Sequence, residues 1–189
     1  MTERWRCFVA VSLGGSLSAE LAAAVAGWRT QLPADDLRWA EPAAWHLTLA
    51  FLGMVRPADV PSIEASIRAR AVTHPPTVVP TGGLGAFRGP GRASVLWYGV
   101  QDPERSLATY ARDLAETLGL SHDEPYRPHV TLARARRRPV DLRGWIERAA
   151  TSAPRGRLMV ERLELKRSHL GPGPARYETL GAFTLGGAP

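Results

Sequence analysis

The apolar and polar positions divide this chain into short strand-like runs and longer helical ones. Residues 4–12 form an apolar run that reads as a buried strand. Leu17, Leu21, Val25, Trp28 and Leu32 recur at helical spacing, and Pro33 ends that pattern. Residues 36–40 alternate as a short extended approach to a strand over about 45–52, closed by Gly53. Pro57 opens a second helix with Val60, Ile63 and Ile67 on one face, broken at His74-Pro75-Pro76, and Thr77-Val78-Val79 starts another strand. Residues 82–92 are rich in Gly and Pro and read as a loop. They lack the spacing of either nucleotide-binding glycine loop. Residues 95–100 make the next strand, and 103–118 a third helix carrying Leu107, Tyr110, Leu114 and Leu118 on one side, with Gly119 as its cap. A strand follows Pro128, then a short helix over 141–150. Strands over 158–165 and 177–185 close the chain, joined by a hairpin turn at Gly171-Pro172-Gly173-Pro174.

One strand pattern occurs twice. His46-Leu47-Thr48-Leu49-Ala50 returns as His129-Val130-Thr131-Leu132-Ala133. On a strand, side chains two apart share a face. His46 and Thr48 therefore point one way and Leu47 and Leu49 the other, into a core; His129 and Thr131 repeat the layout over Val130 and Leu132. One such copy is weak evidence, but two in a chain with five His suggest duplication and a site between the copies. The repeat extends beyond the motif: strand, helix, H-x-T strand, helix, strand runs over about 4–80 and again over about 92–167. The expected architecture is one domain, 1–189, of two related α+β halves that bring both His to a shared cleft.

Composition sharpens this little. A content of 44% hydrophobic and 22% charged residues excludes a disordered chain. The net charge of +6 comes almost wholly from Arg, Lys166 being the one Lys. Arg suits phosphate, but the charge by itself favours phosphate or nucleic acid only modestly. Cys7 is alone, inside an apolar run, which makes it a core residue, rules out an internal disulfide and fits a reducing cytoplasm. No stretch has the length and apolarity of a membrane span, and the N-terminus has no signal-peptide pattern.

Two imidazoles can act as general acid and general base near neutrality. Thr hydroxyls can hold a non-bridging phosphate oxygen, and Arg134, near the end of the second motif strand, can add a charge-assisted contact. That set suits phosphodiester cleavage without a metal. H-E-x-x-H spacing and the G-x-S-x-G elbow are both missing.

At this point the chain resembles a known family. The paired H-x-T-L strands are similar to those of the 2H phosphoesterase superfamily. Within it, the RNA 2′,3′-cyclic phosphodiesterases of bacteria and archaea, formerly described as 2′-5′ RNA ligases, are the branch it resembles. The similar stretches are Leu37-Arg38-Trp39, His46 to Gly53, Gly83-Leu84-Gly85-Ala86-Phe87, Val95-Leu96-Trp97, Pro128 to Arg134, and Ala175-Arg176-Tyr177-Glu178. The resemblance implies an α+β fold of two pseudo-symmetric lobes, with antiparallel sheets flanking a central cleft and helices on the outer faces. It implies no metal or other cofactor. It makes His46 the proton donor and His129 the proton acceptor, with Thr48 and Thr131 binding phosphate. The partner it implies is RNA or a nucleotide ending in a 2′,3′-cyclic phosphate, tRNA fragments included, handled by a monomer in the cytoplasm. Ligation of tRNA halves through a 2′-5′ linkage and a non-catalytic RNA-binding module are the alternatives. Tyr126, in a turn before Pro128, is the candidate for stacking on a base. Phe51 continues the strand's alternation and fits the core. His74, His122 and His169 have no role in the family and are expected in solvated loops or turns.

Overall fold

The computed structural model describes residues 3–33, 35–121, 125–169, 171 and 175–186. Among these residues nine strands form one antiparallel sheet that carries four helices. In chain order they are β1 (Trp5–Ser12), α1 (Gly15–Arg29), β2 (Leu37–Trp39), β3 (His46–Val55), α2 (Val60–Ala71), β4 (Thr77–Phe87), β5 (Val95–Val100), α3 (Ser106–Leu118), β6 (His129–Ala135), α4 (Arg143–Thr151), β7 (Gly156–Val160), β8 (Arg162–His169) and β9 (Arg176–Thr184). The strand order is β7-β4-β5-β6-β3-β1-β8-β9, with β2 lying along the far end of β6.

The two motif strands sit at the centre and touch through a single pair, Leu47 with Val130. Each anchors a four-stranded lobe: β3-β1-β8-β9 on one side, β6-β5-β4-β7 on the other. The expected pseudo-symmetry is there, but the lobes are not the two halves of the chain. β4, from the first half, lies in the second lobe beside β5, and β8, from the second half, lies in the first lobe beside β1. Helices follow the same exchange. α1 and α4 meet edge to face through Trp28 and Trp145 and pack on the β4–β7 side. α2 and α3 pack on β3, β8 and β9.

The helices bury one face of the sheet and leave the other for the cleft. Leu47 and Leu49 of β3 and Val130 and Leu132 of β6 are almost fully buried, as are Leu21, Leu107 and Leu114 of the helices that cover them. Burying one such aliphatic side chain stabilises the fold by about 1.5–3 kcal/mol, so this layer fixes which face of each motif strand looks outward. No helix among the described residues is long and apolar enough to cross a membrane.

Two sequence expectations change here. The Gly-rich stretch is not a loop through residue 87: β4 runs to Phe87. Its glycines serve close approach instead. A Cβ on Gly85 would sit 2.2 Å from the Trp97 ring that lies across it in β5. Gly85→Ala should thus force Trp97 to move, costing about 1–3 kcal/mol as overpacking does. A urea melt checks this, and a variant as stable as the parent would count against the packing described. The single strand expected over 158–165 is two strands. The chain passes Glu161 between β7, at one edge of the sheet, and β8, in the other lobe. The β8–β9 hairpin forms, while most of its expected turn lies outside the described residues.

Candidate active site

The single Leu47–Val130 pair sets the geometry of the site. Continuing that antiparallel register places His46 opposite Thr131 and Thr48 opposite His129. All four side chains line one cleft of about 410 Å³, together with Phe8, Phe51, Arg38, Trp39, Arg134 and Tyr177 among others. The structure therefore brings together the four motif residues and Arg134.

Both motif strands carry a bulge at the same place. In the β1–β3 ladder Ala10 pairs with Thr48 and Val9 with Ala50, so Leu49 has no partner. In the β5–β6 ladder Trp97 pairs with Thr131 and Leu96 with Ala133, so Leu132 has none. An extra residue reverses the inward–outward phase of everything beyond it. Strict alternation would put Phe51 and Arg134 in the core. Instead Phe51 is 61% exposed and Arg134 is exposed, and both line the cleft. The core position expected for Phe51 is thus corrected.

Each imidazole is tethered in the same way. Nδ1 of His46 lies 2.7 Å from the Ala44 carbonyl and Nδ1 of His129 lies 2.8 Å from the Arg127 carbonyl. A donating Nδ1–H at both sites leaves each Nε2 for chemistry in the cleft. Local sequence sets up both acceptors. Ala44 ends the 3₁₀ turn begun by Pro42, and Trp45 beside it is 2% exposed, which anchors the turn. Arg127 precedes Pro128, which holds it extended.

Aromatic rings wall both histidines. The His46 ring lies 4.8 Å from Phe8 and 4.9 Å, edge to face, from Tyr177. The His129 ring lies 4.7 Å, edge to face, from Phe87 and 6.4 Å from Trp97. Burial disfavours the charged imidazolium, and this dominates at both sites. It pushes His46 down to about 4 despite the Ala44 hydrogen bond, aided by the charges of Lys166, His129 and Arg134. Burial also lowers His129, against the Arg127 hydrogen bond, and Arg134 lowers it further. Burial thus favours the neutral form of both imidazoles, which face the Arg134 guanidinium. Among the described residues no three His, Cys, Asp or Glu side chains group as metal ligands.

The remaining sequence candidates fall elsewhere. Tyr126 is not in the cleft: it lines a separate surface pocket with Asp102 and Arg105, and its hydroxyl donates to the Thr48 carbonyl at 3.0 Å. The ring expected to stack on a base instead braces β3 from behind. His74 is not solvated. It is 6% exposed, stacked on Tyr110 and 3.5 Å from Asp113. His169 ends β8, lines the cleft and sits 2.9 Å from Glu178. His122 lies outside the described residues. Phe8, Tyr177 and Arg38 are cleft residues that the sequence did not single out as such. Their signal was indirect, since Arg38 and Tyr177 sit in stretches shared with the resembled family.

Comparison with known proteins agrees with this architecture. Residues 17–172 match the family model described as the 2′-5′ RNA ligase superfamily. A protein of Archaeoglobus fulgidus named RNA 2′,3′-cyclic phosphodiesterase is 30% identical over 181 residues, covering 94% of this chain and 99% of its own. A crystal structure from Thermus thermophilus superposes with a TM-score of 0.74 at 26% identity, covering 96% of this chain and 98% of the other. Escherichia coli LigT in complex with 3′-AMP shares the fold, with a TM-score of 0.72 at 23% identity over 97% of this chain and 99% of LigT. With its paired H-x-T strands joined at one residue pair over a common cleft, this chain belongs to the 2′-5′ RNA ligase superfamily, a family of phosphodiesterase enzymes.

Proposed function

We propose that this enzyme hydrolyses 2′,3′-cyclic phosphate ends of RNA to 2′-phosphates by two-histidine acid–base catalysis without a metal. The observation that carries the reading is the matched pair of tethers, which leave two Nε2 atoms free over one cleft, each opposite a Thr. The name of the Archaeoglobus relative and the nucleotide held by LigT point to the same substrate class. In the reaction, His129 Nε2 takes a proton from water as the water oxygen bonds to phosphorus. The bond from phosphorus to the 3′ oxygen breaks, and His46 Nε2–H delivers its proton to that oxygen. The product is a 2′-phosphate beside a free 3′-hydroxyl, and solvent resets the two imidazoles. Thr48, Thr131 and Arg134 hold the non-bridging oxygens, where charge builds in the transition state. Phe51, exposed at the edge of the cleft, offers a ring for the terminal base.

The test is incubation with an oligonucleotide ending in a 2′,3′-cyclic phosphate, followed by analysis of the product end. A 2′-phosphate is expected. A 3′-phosphate end or joined strands would replace the assignment, and binding without turnover would reduce the protein to an RNA-binding module. Thr48→Ala and Thr131→Ala should each cost about 1.5–3 kcal/mol of transition-state stabilisation, roughly a ten- to hundredfold loss of kcat/KM, since each removes a hydrogen bond to a charged group. Thr→Ser variants should keep most of the rate; equal losses in Ser and Ala variants would mean that the methyl, not the hydroxyl, matters.

A further inference from the structure

The fold gathers arginines that are scattered in the sequence. β2 lies beside β6 with Arg38 opposite Arg134, and both line the cleft. The chain leaving β6 carries Arg137 and Arg138, and the loop between β4 and β5 carries Arg88 and Arg92. These two segments are neighbours. Ala135 N–H donates to the Ser94 carbonyl at 3.0 Å, and Ala93 bridges to Val140. Phe87, the residue before Arg88, already touches the His129 ring. All six arginines are exposed, and none makes an ion pair among the described residues. The acidic groups of this edge are fewer: Asp35, Asp36, and Asp141, which Arg143 already holds.

The other mouth of the cleft differs. Arg167 there lies over Trp5 and reaches Glu3 and Glu178, and His169 also pairs with Glu178. Among the described residues, Arg167 is paired with carboxylates at this mouth, while Arg6 and Arg176 are not.

We propose that Arg88, Arg92, Arg137 and Arg138 form a track for the sugar–phosphate backbone of a single-stranded RNA, continuing from Arg38 and Arg134 at the cleft mouth. The strand's 3′ end sits between the histidines, and its 5′ portion leaves over the β6 lobe. The proposal rests on the function above and narrows its substrate to oligonucleotides over mononucleotides. Exposed, unpaired guanidiniums in a row bind phosphates one by one and release counterions.

The test combines binding and turnover. The quadruple variant R88Q/R92Q/R137Q/R138Q is compared with the parent by fluorescence anisotropy, using a fluorescein-labelled RNA decamer ending in a 2′-phosphate, across a salt series. The variant should bind at least about tenfold more weakly at low salt. Its slope of log affinity against log salt should shrink by about 0.7 for each phosphate that the variant no longer neutralises. Its thermal melt and its kcat/KM on adenosine 2′,3′-cyclic phosphate should match the parent. Unchanged affinity and slope would overturn the track. So would an equal loss in the control R68Q/R105Q/R155Q/R157Q, which removes four exposed arginines elsewhere. A parent that hydrolyses neither substrate but binds the decamer through these arginines would support the track and count against the proposed function.

Discussion

His46→Ala and His129→Ala should each lower kcat/KM on a 2′,3′-cyclic phosphate by at least ~10²–10⁴-fold, the usual contribution of a positioned acid or base. The double variant should lose less than the product of the two, because the pair acts on one proton inventory. Chelator should leave the parent's rate intact. The pH profile adds a sharper test. The kcat/KM profile reports the free enzyme, in which burial lowers both imidazoles, His46 to about 4 and His129 below 6.5. One must be protonated and the other neutral, so the profile is a bell whose limbs belong to the pair. Both limbs should lie on the acid side of 6.5. Bound phosphate brings a negative charge that favours the imidazolium, so the kcat profile should shift toward higher pH than kcat/KM. Chelator-sensitive turnover, or a His46→Ala enzyme near the parental rate, would sink the two-histidine mechanism.

The histidines were legible because a strand's period is 2 and the motif recurs. Alternation alone aims His46 with Thr48 and His129 with Thr131, and buries Leu47 and Val130 behind them. It fails beyond a bulge, because a bulge belongs to the pairing of two strands and leaves no mark on one strand's pattern. Alternation puts Phe51 on the wrong face for that reason. Arg134 stands out by its charge, although the same alternation would have hidden it. The exchange of β4 and β8 between lobes was illegible for a related reason: order along the chain says which elements exist, not which neighbours they choose. Tyr126 failed differently. A turn residue beside a motif has no defined direction until the fold is known, and its hydroxyl found the Thr48 carbonyl. The arginine edge combines both difficulties, since residues far apart in sequence meet only through the β2–β6 and β5–β6 pairings.

Lys166→Met should destabilise the protein by about 3 kcal/mol, at the low end of the cost of breaking a buried ion pair from one side. Lys166 is 9% exposed and Glu164 6%. The ammonium lies 2.6 Å from a Glu164 oxygen and donates to Thr179 at 3.0 Å. Ser12 donates to the same carboxylate oxygen at 2.8 Å, and Arg162, mostly exposed, reaches the other at 3.4 Å. Removing Lys166 would leave a buried carboxylate with two weaker partners, which keeps the loss at the lower figure. Burial alone would raise the Glu164 carboxyl, but hydrogen bonds from Lys166 and Ser12 outweigh it and hold the group below its ordinary 4.5. A lowered carboxyl stabilises the fold fully above that ordinary value, and the contribution fades as pH falls through the folded one. The stability gap between parent and variant should therefore be wide at pH 7 and should narrow as pH falls below 4.5 through the folded value. The pair also bears on the cleft. Ser12 lies opposite His46 in the β1–β3 ladder, and the Lys166 charge is one of the influences that lower His46. The variant's acid limb in kcat/KM should move toward higher pH, a shift that simple loss of stability would not produce. Replacing both partners, as K166M/E164L, should recover most of the stability but keep the displaced limb, since an apolar pair leaves no buried charge. A Lys166→Met protein with parental stability and an unmoved limb would show that the pair neither supports the fold nor tunes His46.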